Sequence, residues 1–163
     1  MSRTLILLRH GKSAYPDEVD DHDRPLSPRG RREAGLAGRW IRAHLPPIDS
    51  VLCSTATRTR KTLAEAAIDA PVDYRDRLYA TTPAILLDEI RTVDKSVHTL
   101  LVVGHEPTLS ATALALATDH SSDIAHQLTE KFPTSALAVL KVRGTWAALE
   151  PGCAELSSFH IPR

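Results

Sequence analysis

The chain has 163 residues and is 42% hydrophobic, enough for one domain with an ordinary core. Its 20 Lys and Arg balance 20 Asp and Glu, giving a net charge of zero. No global field therefore favours nucleic acid or an anionic membrane surface, and any anion must be held by locally placed cations. The two cysteines, Cys53 and Cys153, are too few for a disulfide framework and match no metal spacing. No apolar run approaches the length of a membrane span. The N-terminal run Leu5–Leu8 is too short for a signal-peptide core and is ended by Arg9. The expectation is a cytoplasmic protein without metal or cofactor, with no nucleic-acid or membrane partner.

No internal repeat, low-complexity tract or linker divides the chain, so residues 1–163 read as a single domain. Thr4–Leu8 reads as the first strand. A polar segment follows, with six charged side chains between Asp17 and Arg24. It closes on a helix start in which Ser27 is the N-cap and Pro28 the first helical residue. Ala34, Leu36, Ala37, Trp40, Ile41 and Leu45 recur at near-helical spacing until Pro46-Pro47 stops the helix. Ser50–Cys53 is a short strand running into a helix marked by Leu63, Ala66, Ala67 and Ile68. Val72–Tyr74 reads as a brief strand, and Pro83 opens a further helix through Ile90. Thr99–Val103 is the clearest central strand, with Leu109–Ala117 a helix behind it. Ser135–Val142 and Thr145–Leu149, joined around Gly144, read as a closing hairpin. The alternation argues for an α/β fold, a three-layer α/β/α sandwich around a mostly parallel central sheet.

Two of these strands end in a histidine at a turn, Arg9-His10-Gly11 and Gly104-His105-Glu106. A third runs through Ser54 into a segment carrying Arg58 and Arg60. If the strands are parallel neighbours, their carboxyl ends share one face, where open α/β sheets bind ligands. Two imidazoles and at least two guanidiniums would meet there. A histidine in that position can attack as a nucleophile, and arginine's fork grips two oxygens of an oxyanion without losing its proton. Taken singly, each residue has a plainer reading: a turn histidine, a solvated arginine (as for Arg60 and Lys61), a turn glycine at Gly11 or Gly104. Their coincidence in one short chain favours phosphoryl chemistry. None of His22, His44, His98, His120, His126 or His160 forms a metal-binding spacing, and no glycine-rich phosphate loop occurs.

The Arg9-His10-Gly11 motif resembles that of the histidine phosphatase, or phosphoglycerate mutase-like, superfamily. In chain order, Arg24-Pro25-Leu26-Ser27-x-x-Gly30, Ser54-x-x-x-Arg58-x-x-x-Thr62, Val103-Gly104-His105-Glu106-Pro107 and Thr134-Ser135-Ala136 are similar to segments of its SixA-type phosphohistidine phosphatase branch. The resemblance implies that His10 becomes phosphorylated and that Arg9, Arg58 and His105 complete the phosphate pocket. His105 would be a donor to the transferring group, and Arg24 and Gly11 substrate-binding residues. Two positions depart from the pattern. Thr55 replaces a common proline, and Glu106 replaces an asparagine, which puts an anion near a phosphate site. Glu106 would face away, tune His105 or donate a proton.

The expected reaction is transfer of a phosphoryl group to His10 and its release to water. One nitrogen of His10 would donate to a backbone carbonyl so that the other stays free. Only 46 residues separate Arg58 from His105, leaving little room for an inserted lid. That favours phosphohistidine on a protein, whose imidazole leaves without help from a strong acid. The alternative is a phosphatase of small phosphate esters, with Asp21, Asp23 or Glu106 as general acid. A further one is a regulator that binds phosphoproteins without turnover, and a mutase fits least.

Overall fold

The computed structural model describes residues 2–163. Six strands, β1 (Ser2–Arg9), β2 (Ser50–Ser54), β3 (Val72–Arg75), β4 (Thr99–Gly104), β5 (Leu137–Arg143) and β6 (Ala154–His160), form one sheet in the order β3-β2-β4-β1-β5-β6. Strands β1 to β4 pair in parallel, whereas β5 runs antiparallel to β1, and β6 to β5. The helices are α1 (Pro28–His44), α2 (Thr57–Ala66), α3 (Pro83–Arg91), α4 (Thr108–Leu116) and α5 (Asp123–Glu130). Chain order dictates their sides. From β1 to β2 to β3 the chain steps one way across the sheet, and from β3 it steps back to β4. Right-handed crossovers then place α1 and α2 on one face and α3 on the other.

The alternation of β1 builds the two cores. Leu5 and Leu7 meet α3, α4 and α5 through Leu86, Ile90, Leu109, Leu116 and Leu128. Ile6 and Leu8 meet α1 and α2 through Ala37, Ile41 and Leu63. Cys53 is fully buried in this second core, where burial pushes its thiol up to about 12. Both faces of β1, β2 and β4 are covered, which explains their apolar runs, whereas β3 lies at the sheet edge and is partly exposed.

Helix starts follow the sequence signals. Ser27 Oγ accepts from the Gly30 amide at 3.0 Å with Pro28 behind it, and Thr82 Oγ1 accepts from Ile85 at 3.3 Å ahead of Pro83. The chain's end departs from the expected hairpin. Trp146–Ala148 is a short 3-10 turn, and the partner of β5 is Ala154–His160. Trp146 turns inward instead of extending: its ring is fully buried and its indole N–H donates to Val97 O at 2.8 Å. Helix α5 was not expected from the pattern; Ser122 caps it, and Ala125 and Leu128 are its buried residues.

Candidate active site

The strand order makes β2, β4 and β1 neighbours, with Arg9 opposite Gly104 and Cys53 opposite Val103 in register. Their carboxyl ends therefore lie side by side, as the three motifs require. The His10 and His105 rings are 5.3 Å apart. The His10 amide donates to Gly104 O at 3.1 Å, fixing the two tips to each other. Gly11 N–H donates to Thr62 Oγ1 at 2.8 Å, and that hydroxyl donates to Arg58 O at 2.7 Å, which ties the same tip to α2.

Gly11 is needed for close approach. A Cβ at Gly11 would lie 2.8 Å from Gly30 O, and one at Gly30 would lie 2.1 Å from Lys12 O. The start of α1 thus presses directly on the turn after His10. Behind the turn, Ser135 N–H donates to His10 O at 3.0 Å. Ser135 is buried with φ +62, an unusual conformation for a residue with a side chain. The Thr134-Ser135-Ala136 segment therefore forms the back wall of the site.

A hydrogen bond to a carbonyl assigns the His10 proton. His10 Nδ1 lies 2.8 Å from Gly11 O. A carbonyl only accepts, so Nδ1 carries the proton and Nε2 keeps its lone pair. Burial lowers His10 to about 4; the Gly11 bond opposes this, while Arg58, Arg9 and Arg24 add to it. His105 Nε2 lies 2.8 Å from Ser54 Oγ, which already accepts from the Ala56 amide at 3.3 Å. When the Ser54 hydroxyl donates to His105 Nε2, the ring proton of His105 sits on Nδ1. Burial, then His10 and Arg58, lower His105 to about 3. Both rings are neutral near pH 7.

Three buried nitrogens at this site have no protein partner: Arg9 Nε, Arg58 Nε and His105 Nδ1. They come from three different elements. Each guanidinium is anchored through a terminal nitrogen, Arg9 Nη1 on Phe132 O at 2.8 Å and Arg58 Nη1 on Asp21 O at 2.7 Å. Such a cradle offers donors to several oxygens of one anion.

Arg24 reaches the site's edge through other side chains. Its Nη1 donates to Ser13 Oγ at 2.7 Å, its Nε to Asp21 Oδ1 at 3.1 Å, and it lies over the Tyr15 ring at 4.2 Å. Asp21 joins Arg24 to Arg58 and also accepts from Tyr79 O–H at 2.5 Å. The Tyr79 bond first, then those from Arg58 and Arg24, hold the Asp21 carboxyl down at about 2 against the effect of burial. Glu106 Oε1 and Oε2 accept from Ser110 N and Oγ, both at 2.7 Å, so this carboxylate caps α4. Asp23 is on the outer side of the same turn as Asp21, 3.6 Å from His22. Tyr79, whose ring lies 5.5 Å from that of His105, escaped the sequence reading. It follows a 3-10 turn anchored by buried Leu78, and no local motif marks it.

Comparison with known proteins agrees with this geometry. Residues 5–79 match the family model described as histidine phosphatase superfamily (branch 1). An uncharacterised Mycobacterium tuberculosis protein is 60% identical over 158 residues, covering 96% of this chain and 100% of the relative. A solved structure assigned as the phosphohistidine phosphatase SixA of Nakamurella multipartitia superposes with a TM-score of 0.93 at 44% identity, covering 99% of this chain and 97% of that one. The corresponding structure from Agrobacterium tumefaciens gives a TM-score of 0.80 at 31% identity, covering 99% of both chains. The chain belongs to the histidine phosphatase superfamily, with its phosphoglycerate mutase-like α/β fold. Within that superfamily it is of the SixA type. No helix among the described residues is long and apolar enough to cross a membrane.

Proposed function

We propose that this hydrolase is a phosphohistidine phosphatase that works through a phosphorylated His10. Neutral His10 Nε2 attacks the phosphorus of a phosphohistidine side chain; an N–P bond forms on His10 and the substrate's N–P bond breaks. The substrate imidazole, protonated on its other ring nitrogen, departs with the bonding pair as a neutral group. Water then attacks phosphorus, the His10 bond breaks, and inorganic phosphate leaves. Arg9, Arg58 and His105 Nδ1 donate to the equatorial oxygens, where charge builds up.

The observation that carries this reading is the pairing of a locked Nδ1 on His10 with the three unpartnered donors of Arg9, Arg58 and His105. The choice of N–P over O–P substrates rests on the carboxylates. An alkoxide leaving group needs a positioned acid. Asp21 accepts from two guanidiniums and a phenol, which favours its ionised form, and both carboxylate oxygens of Glu106 are engaged by Ser110 on α4. Between Arg58 and His105 the chain forms the rest of α2, β3, α3 and β4, with no inserted cap. A protein-borne imidazole suits such an open site better than a small ester does.

A competition assay tests the substrate class. Phosphohistidine on a carrier protein and aryl or sugar phosphates are supplied at equal concentration. The expected result is kcat/KM at least ~100-fold higher for phosphohistidine, a difference of about 2.7 kcal/mol in barrier. Faster turnover of the esters would move the assignment to a small-molecule phosphatase. Binding of the phosphoprotein without turnover would leave a regulator.

A further inference from the structure

Asp21 stands on the cationic wall of the pocket, on a short 3-10 turn, Asp21–Asp23, that contains no buried residue. Its carbonyl oxygen and Oδ2 accept from Arg58 Nη1 and Nη2 at 2.7 and 3.1 Å. Its Oδ1 accepts from Arg24 Nε at 3.1 Å and Nη2 at 3.0 Å. The partners differ sharply in access to water: the Arg58 side chain is 8% exposed and that of Asp21 56%. A buried guanidinium cannot swing into solvent, whereas a half-exposed carboxylate can. The turn is latched from outside. His22 pairs with Thr55 Oγ1 at 3.0 Å, the Thr55 hydroxyl donates to Asp76 at 2.6 Å, and Tyr79 donates to Asp21 itself.

The division of Arg58 is specific. Asp21 takes both terminal nitrogens, while Nε stays buried and unpartnered on another edge of the guanidinium. An anion can therefore meet Arg58 through Nε while Asp21 still holds its outer end.

We propose that Asp21 is a built-in counter-anion of the phosphate pocket: a positioning residue that orients Arg58 and also loosens the pocket's grip on phosphate. The proposal rests on the reading of His10, Arg9, Arg58 and His105 as a phosphoryl-transfer site. Arginines closing on a dianion would hold substrate and product alike, and such uniform binding does not raise turnover. A fixed negative charge behind Arg58 repels bound phosphate through a partly screened medium and favours its release. The same bonds keep the guanidinium aligned for the transition state. The two effects have opposite signatures. Losing the charge tightens phosphate binding, and losing the alignment slows turnover.

The test measures the inhibition constant of inorganic phosphate together with kcat and KM, in wild type and Asp21→Asn, with thermal melting as the control for folding. Asp21→Asn is expected to lower the phosphate inhibition constant and KM about five- to tenfold and to lower kcat as well. Asp21→Ser, which removes the charge with a smaller side chain, should change phosphate binding in the same direction. A side chain needed only for structure would weaken binding, not tighten it. An unchanged or raised inhibition constant in both variants, with wild-type melting, overturns the proposal. Wild-type protein that neither turns over phosphohistidine nor binds phosphate would instead overturn the phosphatase reading beneath it.

Discussion

His10 owes its proposed reactivity to neighbours that act at different nitrogens. The Gly11 carbonyl fixes the proton on Nδ1, while burial and the surrounding guanidiniums keep Nε2 unprotonated down to about pH 4. The sign is direct. Protonation of His10 removes the nucleophile, so kcat/KM falls as pH drops through the value in the free enzyme. The acid limb of wild-type kcat/KM is expected near pH 4, well below the ordinary 6.5 of histidine. Arg58 is the foremost of the cations that depress His10. Arg58→Gln should therefore shift the acid limb upward while lowering kcat/KM near pH 7 by about 10²-fold, as expected for a lost transition-state donor. A pH–rate series on both proteins reads the two effects separately, and an unmoved limb would detach Arg58 from His10.

The elements hold these residues through backbone contacts that admit no side chain. Gly38 on α1 packs so closely on α2 that a Cβ there would lie 2.0 Å from Ala66 O and 2.6 Å from Ala66 Cα. Helix propensity alone favours Gly38→Ala by about 1 kcal/mol. Overpacking against rigid backbone costs about 1–3 kcal/mol and opposes that gain. Chemical denaturation should show Gly38→Ala to be less stable than wild type, by up to about 2 kcal/mol; a stabilised variant would mean that the helices part easily. Local signals revealed most elements because the apolar runs of β1 and β4 and the Ser27-Pro28 and Thr82-Pro83 starts depend on nearby residues. Strand β6 and Trp146 were misread for the converse reason. Thr145–Leu149 has a strand-like composition, but the indole finds its partner at Val97 and folds the segment inward. Helix α5 is short, and the flanking Ser and Asp hid its two buried positions.

At the scale of the molecule, one topological fact assembles the site: β4 inserts between β2 and β1, so three motifs far apart in sequence end side by side. The histidines and arginines at strand tips were legible because each belongs to a local turn. The bond network around Asp21 was not, since it joins the turn after β1, the start of α2 and the turn after β3. Asp21 was visible as a candidate general acid but not as the partner of Arg24, Arg58 and Tyr79, and Glu106 disclosed its Ser110 partner only in three dimensions. The central claim is that the phosphoryl group passes through His10. It is tested most directly by quenching the enzyme under alkaline conditions during turnover of phosphohistidine protein and locating phosphorus by mass spectrometry and ³¹P NMR. The account predicts acid-labile phosphate on His10 Nε2 in wild type, with neither label nor turnover in His10→Ala. Undiminished turnover in His10→Ala, or phosphate trapped on another residue, would contradict it.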